Sequence, residues 1–121
     1  MYEIKIYKDT QGNQPIKEYL SELATKPDKE SRIKLNKIDY YLQVLREYGT
    51  RAGKPFVKHI EDDIWELRPL RDRFFFFCWR GDTYILLHHF IKKTQKTPLK
   101  EVKHAKQNLN NFFERNVNNE K

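Results

Sequence analysis

The sequence predicts an α+β fold in which a small antiparallel sheet is packed by two N-terminal helices, with a C-terminal helix at the end of the chain. Two observations predict this class. Three short apolar runs separated by turns lie in the middle of the chain, and apolar residues at helical spacing lie before and after them. Sequential strands with short turns favour antiparallel pairing, with helices on one face and the other face partly open. The predicted order is β-α-α-β-β-β-α.

The N-terminal half contains one predicted strand and two predicted helices. Residues 2–8 alternate polar and apolar side chains, which is the period of a strand. A first helix is predicted over residues 15–23, with a proline in its first turn. A second helix is predicted from about residue 28 to 48, with apolar residues at spacings of three and four. Gly49 is expected to cap its C-terminus.

The C-terminal half contains the sheet. Residues 50–55 predict a flexible basic loop, and residues 56–60 are compatible with a short strand or half a turn of helix. Three strands are predicted to follow, over Ile64–Leu70, Arg73–Arg80 and Tyr84–Ile91. Arg80-Gly81-Asp82 predicts a tight hairpin between the last two strands. Thr97 is expected to cap a final helix that runs toward Phe113.

Chain length and composition predict one domain. We expect a single domain over residues 1–115 and a frayed, Asn-rich tail at 116–121. No apolar run approaches the roughly 18 residues that a membrane span needs, and the N-terminus lacks the pattern of a signal peptide. Cys78 has no partner for an internal disulfide, so we expect a cytoplasmic protein.

Positive charge is concentrated in the second half of the chain. The net charge is +7, and residues 51–121 hold fifteen Lys or Arg against nine Asp or Glu. Six lysines lie between Lys92 and Lys106, with Glu101 as the one acid. Such a patch favours nucleic acid or an acidic protein as a partner. A charge run alone is more often a solvated surface, but the nearby arginines and aromatic residues favour nucleic acid.

Four cations are candidates for catalysis. Arg68 ends one predicted strand and Arg73 begins the next, so their guanidinium groups are expected to approach each other and bind a phosphate through their planar forks. Lys92 and Lys93 follow the last strand, where they would neutralise charge on a scissile phosphate. The alternative for one of the arginines is a structural bridge to a nearby acid, either Glu66 or Asp72.

Further polar and aromatic residues are candidates for RNA binding. The four charged or titratable candidates are Lys54, Lys58, His59 and Lys96. The imidazole of His59 is also a candidate acid or base. Strict strand alternation places His88 with Tyr84 and Leu86 on one face and His89 on the other, so one of the two histidines should be buried or involved in pairing. The phenylalanines at 74–77 could offer a stacking platform for bases or simply fill the core.

No metal site or cofactor is predicted. Cys78 lacks a second ligand at metal-binding spacing, and the four histidines form no recognised pair. Glu61-Asp62-Asp63 is more typical of an exposed turn than of a cation site. The sequence also contains no Gly-rich phosphate loop and no Gly-x-Ser-x-Gly elbow.

Three blocks of sequence carry a family resemblance. They are Ile64-Trp65-Glu66-Leu67-Arg68, then Arg73 followed by four phenylalanines, and Leu86 to Pro98 with its Phe-Ile-Lys-Lys-Thr-Gln-Lys-Thr-Pro run. These blocks resemble the HigB-like, phage-derived branch of the RelE/ParE type II toxin superfamily. The resemblance covers about residues 55–112.

The resemblance implies a RelE-like fold and the toxin of a type II toxin–antitoxin system. Such relatives are metal-independent mRNA endoribonucleases that cut mRNA in the ribosomal A site and inhibit translation. It implies that Arg68, Arg73, Lys92 and Lys93 are the catalytic cations. It also implies a HigA-like helix-turn-helix antitoxin, with promoter DNA bound only through that antitoxin. Some relatives use a Tyr or an acidic-His arrangement near the C-terminus, and this chain has neither after Lys93, so its acid and base stay open.

Two other functions remain compatible with the sequence. A ParE-like gyrase poison would keep the fold without catalytic cations. A non-enzymatic nucleic-acid-binding module would use the same basic patch for affinity alone.

Overall fold

The computed structural model describes residues 1–119, and within that range it contains five strands and three α-helices. The elements are β1 (Glu3–Ile6), α1 (Pro15–Thr25), α2 (Lys29–Tyr48), β2 (Val57–Glu61), β3 (Ile64–Leu67), β4 (Asp72–Trp79), β5 (Thr83–Ile91) and α3 (Leu99–Asn119). The α+β fold class is confirmed. No helix in this range is both long and apolar enough to span a bilayer.

The two ends of α2 are set by local chemistry. The side chain of Asp28 accepts a hydrogen bond from the backbone N–H of Ser31 at 2.9 Å, which caps the N-terminus. Gly49 caps the C-terminus with φ at 64°, as predicted. A Cβ at this position would lie 2.6 Å from the Tyr84 hydroxyl, so both the backbone angle and the packing require glycine.

The sheet has the strand order β1-β5-β4-β3-β2. Three of its pairings are antiparallel, as predicted, whereas β1 pairs with β5 in parallel. No tight turn joins β1 to β5, because two helices and three strands intervene, so the chain is free to return in the same direction. Residues 57–61 form an edge strand rather than a turn of helix. The predicted loop at 50–55 is partly a 3₁₀ helix, Gly49–Ala52.

Helices cover both faces of the sheet, which corrects the prediction of an open face. Helices α1 and α2 pack on the face that carries Phe74 and Phe76. Helix α3 packs on the opposite face, where Phe75 and Phe77 contact a cluster that includes Ala105. All four phenylalanine side chains are at most 1% exposed, so they fill two cores and offer no stacking platform for bases.

A β-bulge in β5 changes which residues share a face. Phe75 pairs with His88 and Phe76 pairs with Leu86, so Leu87 is an extra residue in the ladder. The side-chain amide of Asn108 on α3 donates to the carbonyl of Leu87 at 2.8 Å, which satisfies the bulged backbone. His88 therefore faces α3. Strict alternation had predicted that it would share a face with Leu86, and that prediction is wrong.

The C-terminal helix is longer than expected. It continues through residues 116–119, which we had assigned to a frayed tail. Residues 120 and 121, the rest of that predicted tail, lie outside the described residues.

Candidate phosphate-binding site

Strand register brings cations together at one end of the α3-facing side of the sheet. Lys58 on β2 pairs with Glu66 on β3, which in turn pairs with Phe75 on β4. Arg73 lies two residues before Phe75 and therefore points to the same face. We call Lys58, Arg68, Arg73 and Lys92 the cation cluster, because all four act electrostatically on the carboxylate of Glu66.

Glu66 is the buried centre of the cation cluster. It is 0% exposed, and its Oε1 lies 3.3 Å from Nε of Arg68 and 3.8 Å from Nε of Arg73. Burial raises the pKa of this carboxyl above its usual value, although the surrounding arginines and lysines pull it down. The sequence left open a structural bridge from one of the two arginines to Glu66 or Asp72. In the structure, both arginines form an ion pair with Glu66. Because both ion pairs run through Nε, the described contacts leave Nη1 and Nη2 of Arg68 and Nη2 of Arg73 for a ligand.

Arg73 is held more rigidly than its exposed neighbours. Its Nη1 donates to the carbonyl of Leu70 at 2.7 Å and to that of Asp72 at 2.9 Å. The side chain is only 11% exposed, and burial lowers its pKa. A guanidinium group fixed in this way presents its remaining donor, Nη2, in a preset position.

A shallow hollow lies beside the cation cluster. It has a volume of about 470 Å³ and is lined by Arg71, Arg73, Lys92, Lys93, Thr94 and Gln95. We call it the phosphate hollow. The backbone N–H of Lys92 donates to the carbonyl of Arg71 at 2.8 Å, which fixes this segment just beyond β5. Burial lowers the pKa of Lys92, which is the half-buried member of the lysine pair, whereas Lys93 is exposed.

The structure does not bring every predicted residue to this site. Lys58 joins the cation cluster, but His59 lies on the other face, against Trp65, with its Nε2 at 2.7 Å from the carbonyl of Asp62. Lys54 and Lys96 are exposed in loops and do not line the phosphate hollow. The sequence could not assign residues 56–60 to a strand, so it gave no indication of which face of the sheet His59 would occupy.

Two residues of the site were not candidates in the sequence. Glu66 appeared only as a possible partner of an arginine, yet its two-residue spacing from Arg68 was a usable signal that the two share a face. Arg71 lines the phosphate hollow from the loop between β3 and β4, where strand alternation gives no guide.

A second buried carboxylate lies on the opposite face. Asp72 is 0% exposed and accepts hydrogen bonds from Tyr19 Oη and His89 Nε2, both at 2.9 Å, while Lys34 Nζ lies 3.6 Å away. Burial alone would raise the pKa of the Asp72 carboxyl, but these partners outweigh it and hold the pKa below the usual value. These contacts anchor Asp72, which immediately precedes Arg73 in the chain.

Of the remaining two histidines, His88 on β5 packs against α3 and His104 belongs to α3. His88 Nε2 lies 3.2 Å from Oε1 of Glu101, and the rings of His88 and His104 stack at 4.1 Å. His104 is exposed. Within residues 1–119, no group of three or more His, Cys, Asp or Glu side chains is arranged to hold a metal ion.

Acidification is expected to strengthen anion binding at the cation cluster. Since the pKa of Glu66 is raised, its carboxylate gains a proton at a higher pH than an ordinary Glu, and the cations then lose their counter-charge. We expect the Kd for sulfate, measured by calorimetry from pH 7 downward, to fall about tenfold, or about 1.4 kcal/mol. Glu66→Gln should bind tightly already at pH 7. An equal pH dependence in both proteins would contradict the prediction.

Fold and site together define a class of protein: a small α+β, RelE-like domain with a cationic hollow at one end of its sheet. The chain belongs to the phage derived protein Gp49-like (DUF891) family, whose model matches residues 21–110. This family is part of the RelE/HigB-like toxin clan. The matched range includes the whole cation cluster. No curated protein sequence matches the chain.

Proposed function

We propose that this protein is the toxin of a type II toxin–antitoxin system and a ribosome-dependent mRNA endoribonuclease that needs no metal. The observation that carries the proposal is the cation cluster, in which two arginines share one buried carboxylate beside the phosphate hollow. The Gp49-like family is consistent with a toxin of such a system.

The proposed reaction is transfer of the scissile phosphate to the ribose 2′-hydroxyl. A bond forms between the 2′-oxygen and phosphorus, and the bond from phosphorus to the 5′-oxygen breaks. The 2′-hydroxyl loses its proton and the leaving 5′-oxygen gains one, which yields a cyclic phosphate and a 5′-hydroxyl. Arg68 and Arg73 would bind the non-bridging oxygens, and Lys92 and Lys93 would stabilise the charge that builds up on them. The ribosome would supply the alignment of the mRNA.

Glu66 has the role of a positioning residue in this scheme. Its carboxylate is covered by protein, so it does not reach the RNA, but it attracts both guanidinium groups through ion pairs with their Nε atoms. It also offsets the mutual repulsion of four neighbouring cations in the free protein. A bound phosphate would take over part of that role.

The proposed partner is a HigA-like helix-turn-helix antitoxin in the cytoplasm. A chain with a net charge of +7 favours a partner that lays acidic segments over the basic face. Binding to promoter DNA would occur through the antitoxin alone.

Lys92→Ala tests the proposed function directly. We expect mRNA cleavage on ribosomes to slow about 100-fold, because a cation near the scissile phosphate is lost, and growth arrest after induction to disappear. Lys103→Ala removes an equal charge from an exposed position on α3 and should change neither readout.

The same experiment separates the competing functions. Intact transcripts with broken chromosomes after induction would support a ParE-like gyrase poison. Salt-dependent RNA binding without cleavage in the presence of ribosomes would support a non-enzymatic module. Either result would refute the proposed nuclease.

A further inference from the structure

A second hollow adjoins the phosphate hollow across the segment after β5. It has a volume of about 580 Å³ and is lined by Tyr19, His89, Phe90, Ile91, Lys93, Thr94, Pro98, Lys100 and Glu101. Lys93 and Thr94 line both hollows. The two hollows are therefore adjacent, and a polymer with a phosphate in the first can continue into the second.

The floor of this second hollow is formed by aromatic and apolar side chains, in contrast to the cationic surface around it. The rings of Tyr19 and His89 stack at 4.1 Å with an angle of 27° between their planes. Ile91 is an apolar side chain with 41% exposure at the rim, and Pro98 lies on the α3 side. A nucleobase has the matching shape, because its faces are apolar and stack while its edge is polar.

The floor is held in place before any ligand arrives. Tyr19 and His89 both donate to the same oxygen of buried Asp72, so their polar ends are occupied. Asp72 stays ionised because its pKa is lowered, so His89 carries its proton on Nε2. A preset surface binds a flat ligand at a smaller entropic cost than a mobile one.

Polar groups at the rim match the edge and the backbone of a nucleotide. Oε1 of Glu101 is engaged by His88, and among the described contacts Oε2 is left for a ligand. A carboxylate accepts hydrogen bonds from N–H groups, which guanine presents in an adjacent pair on its pairing edge, whereas uracil presents mainly acceptors. Lys93 and Lys100 are exposed cations that suit a flanking phosphate.

We propose that the second hollow binds the base of the nucleotide next to the scissile phosphate and selects guanine through Glu101. The proposal rests on the proposed function and deepens it, because it names a base preference for the RNA substrate. Base stacking contributes about 1–3 kcal/mol, so the hollow would add affinity as well as selectivity.

The test is a titration of isotope-labelled protein with RNA trinucleotides that cannot be cleaved, followed by NMR. Methylation of every 2′-oxygen blocks the attacking group. The four probes GAA, UAA, AAG and AAU vary the base at each end in turn. We expect the amide signals of Lys93, Thr94, Lys100 and Glu101 to shift with one guanine probe, with a Kd about tenfold lower than for its uracil counterpart.

Glu101→Gln provides the decisive variant, because it keeps the shape and the contact with His88 but cannot offer a carboxylate. The guanine preference should shrink to less than about twofold, a loss of about 1 kcal/mol. Glu114→Gln changes an exposed acid on the same helix and should keep the preference. Thermal unfolding of each variant confirms that it is folded.

The outcomes distinguish the two proposals. Shifts confined to Arg73 and Lys92, or an equal guanine preference in the wild type and Glu101→Gln, would overturn the base site and leave the proposed function standing. No shift in the second hollow with any probe would likewise overturn the base site, whereas only the absence of cleavage on ribosomes would overturn the proposed function. A preference that Glu101→Gln abolishes, with shifts in the second hollow, supports the base site.

Discussion

Arg73→Ala is expected to reduce mRNA cleavage on ribosomes about 100- to 1,000-fold and to abolish growth arrest. Two backbone carbonyls and Glu66 fix the guanidinium group of Arg73 before substrate binds, so it contributes preorganised charge and does not need to move. Single-turnover cleavage of a defined mRNA, with the band pattern read on a gel, measures the loss. Arg73→Lys keeps the charge without the fork and should recover only a small part of the rate.

The controls for Arg73 separate catalysis from folding. The core beneath it consists of buried phenylalanines that the substitution leaves in place, so circular dichroism should show a folded protein. Arg46→Ala removes an arginine exposed on α2, away from the hollow, and should cleave at the wild-type rate. If folded Arg73→Ala cleaved mRNA at the wild-type rate, the proposed catalytic role of Arg73 would be refuted.

Asp72→Ala is expected to lower the free energy of unfolding by about 3–5 kcal/mol. The substitution removes a fully buried carboxylate and leaves Tyr19, His89 and Lys34 without their shared partner. Urea unfolding at pH 7 measures the loss. Asp63→Ala changes an exposed acid and should have little effect.

The Asp72 network also predicts an acid dependence of a particular sign. Because the pKa of Asp72 in the folded protein is below the unfolded value of 3.8, its stabilising contribution is present above that value. The contribution is lost as the pH falls through the lowered pKa. Asp72→Asn should therefore unfold at neutral pH more easily than the wild type and lose less stability on acidification. Parallel stability curves for the two proteins across that range would contradict the assignment.

Local signals in the sequence were sufficient to predict the helices and the hairpin. The Asp28 cap, the glycine at the end of α2 and the turn at Arg80-Gly81 act over a few residues, so they can be recognised without the fold. Both turn residues have positive φ, which supports the predicted tight hairpin. The family resemblance rested on blocks of the same local kind, and the family match agrees with its coarser part.

The order of the strands was enough to group the catalytic candidates, but it could not predict the contacts that they make. Arg68 and Arg73 flank a short link between consecutive strands, so their proximity followed from the chain. Their shared carboxylate, Glu66, required the register between β3 and β4. The second hollow required still more, since it joins α1, β5 and the start of α3, which are distant in sequence.

The sequence by itself determined the α+β class, the approximate positions of the helices and strands, and the candidate cations Arg68, Arg73, Lys92 and Lys93, because these depend on short-range periodicity, capping and composition. Only the tertiary structure decided the parallel pairing of β1, the bulge at Leu87, the cover that α3 provides and the separation of His59 from the site. Those features depend on packing between segments far apart in the chain, where many arrangements satisfy the same local pattern and long-range contacts select one.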